Sequence, residues 1–159
     1  MPRAAAIALA ICLAGCGPGA AAPPTDSCAT PSGGSIDTLE LGGATNTDLA
    51  GGMSPFAPLH DGDGVMLIRG GQGATMIGLV VRVSGASAPT CLGQATAVTD
   101  GAGARITGAT PPLATYAQPD GTRLTKPLWL PADYPSTFLV STTAASHTLA
   151  LHLHLLLAP

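Results

Sequence analysis

Apolar residues recur at every second position in two long stretches of the chain. Over 75–83, Ile77, Leu79, Val81 and Val83 share one parity and Arg82 takes the other. Over 148–155, Leu149, Leu151, Leu153 and Leu155 alternate with Ala150, His152 and His154. A period of two sends successive side chains to opposite faces, so each stretch predicts a strand with one buried face. Shorter runs predict strands over 65–69, 91–98, 126–130 and 138–143, with weaker ones over 36–41, 105–107 and 113–116. Between them stand Asp61-Gly62-Asp63-Gly64, Gly70-Gly71, Asp100-Gly101 and Asp120-Gly121. Asp-Gly favours a hairpin turn because glycine accepts positive φ without steric cost. Beyond the N-terminal segment, no window carries a helical stripe. Roughly seven to nine short strands punctuated in this way predict an all-β fold, an antiparallel β-sandwich. An immunoglobulin-like (Ig-like) arrangement is the leading version and a small barrel the alternative. Leu130-Pro131-Ala132-Asp133-Tyr134 ahead of the strand at Phe138 is similar to the corner before a late strand of such domains.

The N-terminus follows another pattern. Met1-Pro2-Arg3 supplies a positive start, and residues 4–13 are apolar and uncharged. That run is shorter than the ~20 residues of a membrane-spanning helix and reads as a secretory signal helix. It closes on Leu13-Ala14-Gly15-Cys16, which resembles the lipobox of bacterial lipoproteins at all four positions. The resemblance implies cleavage before Cys16, a diacylglycerol on its thiol and two or three acyl chains such as palmitate in the mature protein. Two lipid signals suffice for stable anchoring. Gly17 stands where an Asp favours inner-membrane retention in enteric bacteria, so the resemblance leans toward the outer membrane. The chain divides into a signal peptide over 1–15, a Gly/Ala/Pro-rich flexible stalk over 16–34 and a β-sandwich domain over 35–159.

Cleavage would remove Arg3 and leave five basic against nine acidic side chains, scattered without a basic block. That disfavours a nucleic-acid partner. Five aromatics, Phe56, Tyr116, Trp129, Tyr134 and Phe138, are too few to build an extended stacking surface. Cys12 leaves with the signal and Cys16 takes the lipid, so Cys28 and Cys91 remain as an even pair. In an oxidising compartment the simplest reading is one disulfide. Two unpaired thiols are the alternative.

Candidate chemistry is sparse. His152 and His154 occupy alternate positions of one strand, so both imidazoles share a face. The spacing resembles the paired metal ligands of copper/zinc superoxide dismutase, but the downstream His and Asp of that enzyme have no counterpart here. The pair is a candidate Zn or Cu site, against a reading as two imidazoles on a solvent face. Met53, Met66 and Met76 are too dispersed for a Cu(I) carrier. Asp61 and Asp63 offer hard oxygens to Ca²⁺, yet strand residues follow where further ligands would stand, and a hairpin turn is the simpler account. Gly70-Gly71-Gln72-Gly73 lacks the Lys-Ser/Thr of a phosphate loop. There is no Gly-x-Ser-x-Gly elbow, and Glu40 is the sole glutamate.

Phe56 through Gly85, with its Asp-Gly-Asp turn, short apolar strand and Gly-x-Gln-Gly turn, resembles a segment of uncharacterised lipoproteins of myxobacteria-type genomes. The resemblance implies a β-sandwich lipoprotein and carries no activity. The expectation is a non-enzymatic envelope lipoprotein, held to a membrane through its lipid, needing no cofactor and acting as a structural or binding module. A metal-binding lipoprotein using His152 and His154, and a hydrolase with an unrecognised site, are the alternatives.

Overall fold

The computed structural model describes residues 28–45, 48, 55–70 and 73–156. The signal helix, Cys16 and most of the segment read as a stalk lie outside them. The described residues form twelve strands: β1 (Thr38–Gly43), β2 (Gly64–Met66), β3 (Ile68–Arg69), β4 (Thr75–Ser84), β5 (Cys91–Leu92), β6 (Gln94–Thr99), β7 (Arg105–Ala109), β8 (Leu113–Ala117), β9 (Arg123–Thr125), β10 (Leu128–Pro131), β11 (Thr137–Ala144) and β12 (His147–Leu156). One sheet runs β1-β4-β9-β8-β5, with β3 and β10 also paired to β4. The other runs β2-β12-β11-β6-β7. Pairing is antiparallel except between β2 and β12, which run parallel.

The two long alternating runs become the longest strands, one in each sheet. Ile77, Leu79, Val81 and Val83 of β4 face Leu151 and Leu153 of β12 in a single core that also takes Val98, Leu130, Phe138 and Val140. Val81, Val83, Val98 and Val140 are wholly buried. At roughly 1.5–3 kcal/mol for each fully buried large aliphatic side chain, this shared face is what holds the sheets together.

Two runs read as single strands are each divided between the sheets. Over 65–69, β2 joins β12, the chain crosses at Leu67, and β3 joins β4. Over 91–98, β5 joins β8 and β6 joins β11, with the crossing at Gly93. At Gly93 the buried residues Leu92, Gln94, Thr96 and Val98 keep one parity across the crossing, whereas at Leu67 the parity shifts, with Val65 and Ile68 buried and Met66 and Arg69 exposed. β9 is a further strand beyond those expected. It is three residues long, and its partner β8 is only five.

The chain between β10 and β11 is tied by Tyr134. Its hydroxyl donates to the Leu130 carbonyl at 2.7 Å, and its ring stands 5.1 Å from that of Phe138. Burial pushes the phenol pKa above its ordinary value. The disulfide expected from cysteine parity is present between Cys28 and Cys91, with Cα atoms 5.8 Å apart. Beside it the Ser32 N–H donates to the Cys91 carbonyl at 2.9 Å, and the Cys91 N–H donates to Ser32 Oγ at 3.0 Å. The segment over 28–32 is thereby fastened to the start of β5.

Candidate functional site

His152 and His154 fall where the period-two pattern places them, on the outer face of β12 opposite the leucines. The His152 side chain is 76% exposed. The pattern did not show that the Asp61-Gly62-Asp63-Gly64 turn lies beside them. Asp61 Oδ1 accepts from the His152 N–H at 2.7 Å and stands 3.0 Å from its Nδ1. The Gly62 N–H donates to the His152 carbonyl at 2.7 Å, and the His154 N–H donates to the Asp63 carbonyl at 3.1 Å. Asp63 Oδ2 in turn accepts from the His60 N–H at 2.7 Å, with His60 Nδ1 at 3.3 Å.

This turn was expected to close a hairpin, and it does not. Pro58, just before it, bridges Gly42 of β1, whereas β2 after it pairs in parallel with β12. Its role is to cover an edge. β2 spans only three residues against ten in β12, so part of the β12 edge would stand open. Unpaired edge groups invite pairing with another chain. The Asp61 carboxylate and the backbone of residues 62 and 63 supply partners there instead. These hydrogen bonds lower both carboxyl pKa values: on Asp61 chiefly the bond from the His152 backbone, on Asp63 chiefly that from the His60 backbone.

Among the described residues, no group of three His, Cys, Asp or Glu is arranged to hold a metal ion. A Zn or Cu ion on His152 and His154 would have to complete its coordination from elsewhere. His60 stays with its own turn. His147 has the parity of the leucines and lies at the opposite end of β12, its Nδ1 buried without a hydrogen-bond partner among the described residues. Met66 is exposed and its chain neighbour Val65 buried. Gly70 and Gly73 close the β3–β4 turn, with the Gly73 N–H donating to the Gly70 carbonyl at 2.8 Å.

The other concentration of side chains lies on the outer face of the β1-β4-β9-β8 sheet, where composition gave no warning of it. Register sets Glu40, Arg82, Leu124 and Tyr116 side by side across four strands. Arg82 Nε donates to Glu40 Oε2 at 2.6 Å, and its guanidinium stacks 4.4 Å above the Phe56 ring. The bond to Glu40 is the main reason its pKa is raised. Phe56 can lie there because it rests on Gly42: a Cβ at that position would stand 2.7 Å from Phe56 Cε2. In the same sheet Trp129 lies over Gly78, where any Cβ would collide with the indole.

Beside Arg82 the β8–β9 hairpin rises to form a groove of about 490 Å³ with Pro55 and Phe56 as its far wall and Leu124 within it. Asp120 and Gln118 line the hairpin side. Asp120 Oδ1 accepts from Thr122 Oγ1 at 2.7 Å and from its N–H at 2.9 Å, which lowers the carboxyl pKa, with a smaller contribution from Arg82.

No protein-family model, curated protein or solved structure matches this chain. Its chemistry has to be argued from its own residues.

Proposed function

We propose that this chain is a lipid-anchored protein of the bacterial envelope whose Ig-like β-sandwich serves as a non-catalytic structural or binding module. The observation that carries the reading is the distance along the chain between two cysteines. Cys16 of the lipobox-like Leu13-Ala14-Gly15-Cys16 precedes Cys28 by twelve residues, and Cys28 is bonded to the domain at Cys91. A tether of that length reaches at most about 40 Å at ~3.3–3.6 Å per residue, which would hold the domain close to a membrane surface. A structural disulfide agrees with a compartment outside the cytoplasm.

Support for the Ig-like arrangement comes from strand order. In that fold one sheet reads A-B-E-D and the other G-F-C with C′ beside C. Taking β1 as A, β4 as B, β9 and β10 as E, and β8 as D gives the first. Taking β12, β11, β6 and β7 as G, F, C and C′ gives the second. The Tyr134 hydroxyl bonded back to Leu130 between β10 and β11 resembles the tyrosine corner before strand F.

The reading is tested by membrane fractionation of cells expressing the full chain and its Cys16→Ser variant. The wild-type chain is expected in the membrane pellet and resistant to high-salt extraction, with the variant released. Equal distribution of the two would overturn it.

A further inference from the structure

We infer that the groove between the β8–β9 hairpin and Phe56 is a binding site for a neutral saccharide chain. The inference rests on the reading of the domain as a binding module and does not depend on the lipid anchor.

The groove has the size of a ligand site. Its volume of about 490 Å³ falls inside the roughly 300–1,000 Å³ range of small-molecule pockets. It is an open trough, which suits a segment of a longer chain. Its polar groups are of both kinds. Arg82 is held in place by Glu40 at its Nε and by Phe56 beneath its plane, and no described residue hydrogen-bonds its two Nη groups. Those N–H donors remain for a ligand. Asp120 uses Oδ1 on Thr122, and among the described residues Oδ2 has no partner. Gln118 directs its Nε2 to the Tyr116 carbonyl at 3.2 Å, which leaves its carbonyl oxygen as an acceptor. Donor and acceptors therefore stand beside one another, each oriented by a hydrogen bond within the protein, and such orientation reduces the ordering cost of binding.

Charge argues for a neutral ligand. The Arg82 guanidinium is already paired with Glu40 and shares the groove with Asp120, so the charge there favours neither an anion nor a cation. A hydroxyl-bearing ligand can donate to Asp120 and Gln118 and accept from Arg82 without a charge of its own. Pro55, Phe56 and Pro119 line the groove and supply its apolar surface.

The same geometry disfavours a peptide. An extended peptide is bound chiefly by adding to an open strand edge. β4 is covered along this stretch by β1 on one side and β9 on the other, so the groove presents side chains and no free backbone edge. A proline-rich helix needs a row of aromatic walls. Among the described residues, Phe56 is the one aromatic lining this groove.

The test is titration calorimetry of the full chain, in detergent, with maltohexaose, cellohexaose and chitohexaose as probes. At least one is expected to bind saturably, and Asp120→Asn and Gln118→Ala should each weaken it about tenfold. Asn at 120 keeps an oxygen for Thr122, so an unchanged melting temperature would show that the fold survives. Ser141→Ala, on the outer face of the other sheet, should bind like the wild type. Absence of binding by all three sugars at millimolar concentration, or binding indifferent to Asp120→Asn and Gln118→Ala, would overturn the assignment. So would displacement of the sugar by a neutral decapeptide. Because membrane fractionation of Cys16→Ser does not involve the groove, failure here leaves the anchoring result standing on its own.

Discussion

Asp61 and His152 are joined across ninety-one residues of sequence, the carboxylate accepting the backbone N–H of His152 at 2.7 Å and lying 3.0 Å from its Nδ1. The contact closes an edge of the second sheet, and it gives that edge an acid sensitivity. Its hydrogen bonds depress the folded-state pKa of Asp61 below the ~3.9 of an unfolded chain. A depressed carboxyl contributes stability above the unfolded pKa and loses it as pH falls through the folded value. Asp63 acts in the same direction. Thermal melting of the wild type and Asp61→Ala should therefore differ at pH 7, and the difference should shrink as pH falls below the ordinary carboxylate range and through the lowered folded value. A constant difference down to pH 2 would show that the carboxylate charge plays no part.

The β11–β12 turn carries a strain that one substitution should relieve. Only Ala145 and Ser146 connect these strands, and Ala145 has φ of 51°. A left-handed conformation costs an L-residue about 1–2 kcal/mol. Glycine removes that cost but loses roughly 0.4–1 kcal/mol through greater freedom in the unfolded chain. Ala145→Gly should raise stability by up to about 1.5 kcal/mol, read as a higher urea midpoint at constant slope. Ala145→Val should lower it.

Three buried polar side chains at the start of β6 and on the facing β11 form a relay in the core. Thr96 Oγ1 donates to Gln94 Oε1 at 2.6 Å and stands 3.0 Å from Thr142 Oγ1. Thr96 is the shared member, so the two threonines should not be equivalent. Thr142→Val removes one contact and leaves the bond from Thr96 to Gln94, at a cost within about 1 kcal/mol. Thr96→Val strands Gln94 Oε1 and Thr142 Oγ1 together, at about 1–3 kcal/mol. Urea titration of both variants checks the order, and equal losses would contradict it.

Cys28 and Cys91 close a loop with a sequence separation of 63. By chain entropy such a link contributes roughly 4 kcal/mol. The double variant Cys28→Ala/Cys91→Ala should show a loss of about 2–4 kcal/mol in chemical denaturation under oxidising conditions. Under strong reductant the wild type should fall to the stability of the variant.

How much of this was legible in the sequence follows from what period-two patterning can encode. β4 and β12 were plain because one buried face imposes alternation over ten residues. The crossing at Gly93 was hidden because Leu92, Gln94, Thr96 and Val98 stay in step, and the one at Leu67 because a parity shift between Val65 and Ile68 is too brief to read within a five-residue apolar run. β9 was hidden by its length, and the β11–β12 turn by an alanine standing where glycine is usual. Cysteine counting pointed to the Cys28–Cys91 disulfide only through the expectation that Cys12 leaves with a signal and Cys16 carries lipid. The site was the least legible part. Asp61 and His152, or Phe56, Arg82 and Asp120, meet only through register between strands far apart in sequence, and no local spacing records that.

Mass spectrometry of the mature N-terminal peptide from membrane-extracted protein decides whether Cys16 anchors the chain. The expected result is a peptide beginning at Cys16 with a thioether-linked diacylglycerol on its sulfur. A peptide that begins elsewhere, or one that begins at Cys16 with an unmodified thiol, would contradict the account.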